Sequence, residues 1–152
     1  MKMNEEKINY YVNKGYIDVA DHAKFKYIVE ILRLFNVNVK GWMRGSYILN
    51  ENEGIMFTKV QNENWTDTLD EQYMYEHCNP QGDKKIAKRN DYWGDKTIYI
   101  FRKEVNDDYE FIGCFKQDEK KIEELFNKGI ENQRPYKKVG SRVYLTTFNQ
   151  IK

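Results

Sequence analysis

Two short runs constrain this chain more than anything else in it: Thr97-Ile98-Tyr99-Ile100-Phe101-Arg102 and Tyr109-Glu110-Phe111-Ile112-Gly113-Cys114-Phe115. β-Branched and aromatic residues of this kind fit the pleated, half-buried surface of a sheet. Val105-Asn106-Asp107-Asp108 lies between them and reads as a turn, so the two runs form an antiparallel hairpin. The first run is apolar almost throughout, which places it at the centre of the sheet rather than at an edge.

Other elements assemble around that hairpin. Residues 54–60 supply a strand, Ile55-Met56-Phe57-Thr58-Lys59-Val60. Residues 71–76 supply a shorter one, with Tyr73 and Tyr75 on one face by period-two alternation. Residues 139–148 read as a closing strand, with Val143 and Leu145 on one face and Tyr144 on the other. Phe25, Ile28, Val29, Leu32 and Phe35 recur at helical spacing and predict a core helix over 21–36, capped by Asp18 or Asp21. A second helix is predicted over 118–130, with Ile122, Leu125 and Phe126 inward and Gly129 near its end. Residues 1–20 read as a short helix or turn and an extended entry. Residues 37–50 read as a loop in which Trp42 either closes the core or lines a groove. The expected fold is α+β: a curved, mostly antiparallel sheet or small open barrel with two flanking helices. The 152 residues fit one domain, with 1–50 as a helical segment packed on a barrel at 54–148.

Composition narrows the function. Aromatic content of 15% with only two prolines excludes a disordered chain. A net charge of +1 excludes a polycation, so any nucleic-acid role rests on local patches. Lys84, Lys85, Lys88 and Arg89 form one, and Arg134, Lys137, Lys138 and Arg142 another. The bland alternative for each cation is a solvated surface residue. Cys78 and Cys114 with His22 and His77 do not make a zinc pattern, and no metal or cofactor is expected. There is no glycine-rich phosphate loop, no Ser/His/Asp set and no His cluster of the HNH type. Glu110 with Lys116 beyond it is a weak nuclease candidate, and the chain is expected not to be an enzyme. No apolar run approaches the ~18 residues of a membrane span. The opening residues lack a signal peptide's apolar core, so a cytoplasmic protein is expected, with no membrane partner.

The stretch from Trp65 to Asn90 carries the chemistry. Trp65, Tyr73 and Tyr75 offer rings, Asp67 and Asp70 offer carboxylates, and Lys84 to Asn90 is a polar, basic loop. Together they suit a flat, polar, negatively charged ligand such as a nucleotide. Trp65 and Tyr75 would stack on a base, and Asp67, with Asp70 second, would accept from an exocyclic amine. Lys84, Lys85, Lys88 and Arg89 would hold phosphates, and Asn90 would fix the loop through its own backbone. Each ring serves equally well as core filler, and Asp67 equally well as a turn cap.

The order of Trp65, Asp67, Tyr73-Met74-Tyr75, Gly82-Asp83 and Asn90, followed by the two strands, resembles the SET and RING associated domain. The bacterial versions attached to modification-dependent restriction enzymes are the nearer comparison. Departures from that pattern are Trp65 in place of Tyr, and Tyr75-Glu76-His77-Cys78-Asn79 without the usual glycines. A second resemblance overlaps the first. Gln61-Asn62, Tyr99-Ile100-Phe101-Arg102-Lys103, Phe111-Ile112-Gly113, Arg134-Pro135-Tyr136 and Val143-Tyr144-Leu145 are similar to the domain that ends many helicase-type restriction proteins. Both resemblances imply a PUA-like barrel. They imply a module that binds modified double-stranded DNA, reads a flipped modified cytosine, and acts with a nuclease or helicase subunit. The alternatives are a protein-binding module, such as a phage or host defence inhibitor on the same barrel, and an RNA-binding PUA-like domain.

Overall fold

The computed structural model describes residues 2–39, 44–60, 65–78 and 91–150. Helix α1 (Glu5–Lys14) starts where Asn4 Oδ1 accepts the Lys7 N–H at 3.1 Å, and it stops at Gly15, whose φ of 90° only glycine adopts freely. Strand β1 (Tyr16–Asp18) follows, then a 3-10 turn at Val19–Asp21, β2 (Lys24–Phe25) and helix α2 (Ile28–Leu34).

The helix predicted over 21–36 is therefore only its second half. Phe25 is drawn into a strand pairing opposite Tyr109, and Tyr27 is extended, so tertiary pairing overrides the helical spacing. The buried Glu30 fixes this arrangement. Its carboxylate accepts the Tyr27 N–H at 2.9 Å and the Asn4 N–H at 2.7 Å, tying together the starts of both helices.

The remaining elements are β3 (Ser46–Ile48), β4 (Glu53–Lys59), β5 (Trp65–Leu69), β6 (Tyr73–Cys78), β7 (Thr97–Lys103), β8 (Tyr109–Gln117), α3 (Glu119–Asn127), β9 (Gln133–Gly140) and β10 (Arg142–Tyr144). The expected closing strand is two strands. β9 ends at Gly140, and β10 pairs with β1 in a separate ribbon. Trp42 lies outside the described residues. Among the described residues there are three α-helices, α1 falling in the stretch read as a short helix or turn, and no helix is long and apolar enough to cross a membrane.

The main sheet runs β3-β4-β7-β8-β9-β6-β5, with β2 added on β8. Its described pairings are antiparallel except β4 with β7, which is parallel. Bulges at Ile100/Phe101 and Cys114/Phe115 tighten the curl. The far edge, β5, comes back to the end of β4, where the Asp67 N–H donates to the Val60 carbonyl at 3.0 Å. The sheet is nevertheless open. It is the α+β, mostly antiparallel, curved architecture anticipated from the hairpin.

Each face of the sheet has its own core. Outside, Ile8, Phe25, Ile31, Leu32 and Phe35 pack on Ile55, Phe101 and Phe111. Inside the curl lie Met56, Met74, Trp93, Ile98, Ile100, Phe115 and Tyr136. β7 feeds both, Ile98 and Ile100 inward and Phe101 outward, which is why its sequence is apolar on both faces.

Trp93 lies flat against Gly54. A Cβ there would stand 2.6 Å from Trp93 Cζ3 and 3.0 Å from the Tyr47 carbonyl. Gly54→Ala is therefore expected to lower stability by about 1–3 kcal/mol, the usual cost of overpacking. Urea denaturation followed by tryptophan fluorescence checks this; an unchanged midpoint would show that Trp93 does not depend on this contact.

Candidate functional site

The unclosed side of the curl leaves a cleft of about 580 Å³, within the range of small-ligand sites. Met56, Phe57, Thr58 and Lys59 of β4 form one wall; Asp67 of β5, Glu76 of β6 and Arg134 of β9 line it too. Arg44, Tyr92, Trp93 and Tyr109 are also among its lining residues. Tyr92 is exposed and meets the buried Trp93 edge-on, with ring centres 4.8 Å apart.

The deepest polar group is Asp67, 3% exposed. Its Oδ1 is buried and, among the described residues, has no hydrogen-bond partner, and the same holds for Thr58 Oγ1. Leaving one such atom unsatisfied costs about 1–3 kcal/mol. Two of them stand in one cleft.

Electrostatics single out the same carboxyl. Burial, and then the negative charge of Glu76, push Asp67 up to about 7. The Thr58 hydroxyl and the Arg102 guanidinium pull the other way, although the hydroxyl has no partner at good hydrogen-bond geometry. Glu76 is Asp67's register partner across the β5–β6 pair, so the two share a face. Burial raises Glu76 as well, but the Tyr136 hydroxyl donates to its Oε1 at 2.6 Å and Arg134 lies 3.7 Å from the same oxygen. Among the described residues no group of three or more His, Cys, Asp or Glu side chains could hold a metal ion, and the two carboxylates stand as a pair.

Comparison with known proteins assigns this architecture. A family model of the SET and RING associated domain matches residues 10–143. The chain belongs to the SET and RING associated domain family. No curated protein matches it in sequence. Among solved structures, the 5-hydroxymethylcytosine-specific restriction enzyme AbaSI is similar at a TM-score of 0.68 and 19% identity, over 93% of this chain and 46% of that one. Likeness at that identity is likeness of fold, and this chain spans less than half of the enzyme's length.

Within this SET and RING associated domain the residues singled out from sequence separate. Asp67 lines the cleft. Tyr73 and Tyr75 do not: they alternate with Glu76 along β6 and lie on the opposite face of the sheet. There they stack on each other, with centres 5.6 Å apart. The Tyr73 hydroxyl donates to Asp118 at 2.7 Å and Lys121 sits over its ring, so the pair seats α3. Asp70 builds the β5–β6 turn by accepting the N–H groups of Gln72 and Tyr73, each at 2.8 Å. Trp65 opens β5 opposite Cys78. Lys84, Lys85, Lys88, Arg89 and Asn90 lie outside the described residues.

The second basic patch divides: Arg134 enters the cleft, whereas Arg142 pairs with Asp18 at 3.1 Å and covers Tyr16. Glu110 is occupied near β2 by His22 at 3.4 Å and Lys24 at 3.9 Å. Sequence reasoning missed Thr58, Glu76, Tyr92 and Trp93, and placed Arg134 in a basic patch rather than beside Asp67. The signal for Glu76 was available, since alternation with Tyr73 and Tyr75 puts it on the other face. Assigning that face to the cleft needed the register with Asp67.

A carboxyl held near 7 when folded and near its ordinary ~3.9 when unfolded makes the folded state bind more protons between those values. Stability should therefore fall as pH rises through that window and stay lower above it. Asp67→Asn should flatten this slope and stabilise the protein at pH 8 by roughly 2–4 kcal/mol, since each tenfold change in proton affinity is worth about 1.4 kcal/mol. Urea midpoints against pH for both proteins check this; parallel profiles would contradict it.

Proposed function

We propose that this chain is a DNA-binding module that takes a modified cytosine, turned out of the duplex, into the cleft floored by Asp67. It would serve as the specificity domain of a modification-dependent restriction system. One observation carries the reading: among the described residues, Asp67 Oδ1 and Thr58 Oγ1 are buried without hydrogen-bond partners in a cleft of ligand size. Membership of the SET and RING associated family supports it, as does the fold shared with an enzyme specific for 5-hydroxymethylcytosine.

The energetics are feasible. Turning a base out costs a few kcal/mol of stacking and pairing. Stacking on one ring returns about 1–3 kcal/mol. Trp65, two residues before Asp67 on β5, and Tyr92 at the cleft are assigned to that role. Asp67 accepts from the exocyclic amine, and a ligand hydroxyl or amine satisfies Thr58. Lys84, Lys85, Lys88 and Arg89 hold phosphates, joined by Arg44 and Lys59 at the cleft. Cleavage would come from a nuclease or helicase subunit.

Fluorescence anisotropy with plain, 5-methyl- and 5-hydroxymethylcytosine duplexes tests this. A modified duplex should bind tighter. Asp67→Ala should bring it at least about tenfold closer to plain DNA. Trp65→Ala and Tyr92→Ala should each cost about 5- to 150-fold, the equivalent of one lost stack. Tyr75→Ala should leave the preference intact, and Lys88→Ala should weaken all three duplexes alike with a shallower salt dependence. Equal, weak binding to all three duplexes overturns the reading, and tighter binding of single-stranded RNA would replace it with an RNA-binding role.

A further inference from the structure

Asp67 is buried and Glu76 half-buried in the cleft, and the two face each other directly across two strands. Side chains at such positions have Cβ atoms about 4.5–5.5 Å apart, and like charges there repel. Two ionised carboxylates are therefore not a stable occupant of this site. Their surroundings decide which one keeps the charge. Glu76 receives the Tyr136 hydroxyl at 2.6 Å and has the Arg134 guanidinium 3.7 Å away. Asp67 has no comparable support. Arg102 Nη2 donates to its backbone carbonyl at 3.3 Å, the Thr58 hydroxyl and the Arg102 charge favour ionisation less than burial and Glu76 oppose it, and among the described residues Oδ1 has no partner at hydrogen-bond geometry. The other charged groups at the cleft are Arg44 and Lys59, which are exposed and so largely screened. Tyr92 and Tyr109 also line the cleft, and burial raises the Tyr109 hydroxyl above its ordinary value. Negative charge thus belongs on Glu76 and the proton on Asp67.

We propose that Glu76 is a positioning residue for base reading: its charge keeps Asp67 a carboxylic acid, which offers the base one donor and one acceptor. This rests on the reading of the cleft as a base site. The Watson–Crick edge of cytosine sets an amine donor, N4, beside an acceptor, N3. An ionised carboxylate has only acceptors. It would satisfy the amine and face the N3 lone pair. The acid form accepts from N4 and donates to N3. Glu76 need not touch the base. When Asp67 is ionised in the free protein, binding draws one proton from solvent; when Asp67 already holds it, binding draws none. The raised position of the Asp67 carboxyl, about 7, puts that change near neutral pH.

Isothermal titration calorimetry of the full chain with a 5-hydroxymethylcytosine duplex, in buffers of different ionisation enthalpy, reads the proton directly. Uptake is expected near zero at about pH 5.5 and near one proton at about pH 8.5, with affinity falling up to about tenfold per pH unit above the break. Glu76→Gln removes the charge, so its break should move to lower pH and its affinity at about pH 7.5 should drop. Asp67→Asn carries a fixed donor and acceptor, so it should still prefer the modified duplex, with no proton uptake at any pH. NMR titration of the Asp67 carboxyl carbon in the free protein gives a readout without DNA and should shift down in Glu76→Gln. A preference for modified DNA with no proton uptake anywhere, or an Asp67 titration unmoved by Glu76→Gln, overturns this proposal and leaves base reading intact. No preference among duplexes at any pH overturns both.

Discussion

A hydrogen bond from the Asp67 N–H to the Val60 carbonyl, at 3.0 Å, marks where the curled sheet comes nearest to closing on itself. Much else follows from that near miss. A closed small barrel fills its interior with side chains. Here the inner core holds from Ile98 to Tyr136 but gives way to polar residues where β5 returns towards β4. Thr58 and Asp67 are brought together at the seam without the ladder that would have satisfied strands on both sides.

The cost of that seam is carried by the rest of the fold. Two unpartnered buried atoms and a crowded carboxylate pair work against stability. Two cores, one on each face of β7, offset them. The inner one is built up to the rim of the cleft: Trp93 rests on Gly54, and Tyr136 reaches from the core to Glu76. The side chains that stabilise the barrel therefore also orient the acidic pair. The outer face of β6 has a different task, since Tyr73 and Tyr75 are spent on holding α3.

Patterned apolar stretches made part of this visible in the sequence. The 97–115 hairpin, β4 and α3 are dominated by burial, and their residues say so. β5 was not visible, because Trp65-Thr66-Asp67-Thr68-Leu69 is polar where a strand at a cleft must be polar. β9 carries Pro135 and several cations, which hid a strand that sits between two others. The helix at 21–36 was overestimated because Phe25 has helical spacing and a better partner in Tyr109. Asp67 stood out by its chemistry and lies in the cleft. Tyr73 and Tyr75 stood out the same way and lie behind it. The difference is cross-strand register, which a single sequence does not display.

The most direct test of the central claim is the state of the base itself. A duplex carrying 2-aminopurine next to a 5-hydroxymethylcytosine should brighten when the protein saturates it, because turning the cytosine into the Asp67 cleft unstacks its neighbour. The account predicts that rise for the wild type and its loss for Asp67→Ala. Saturated binding with unchanged fluorescence would mean that the base stays in the helix and that the cleft serves something else.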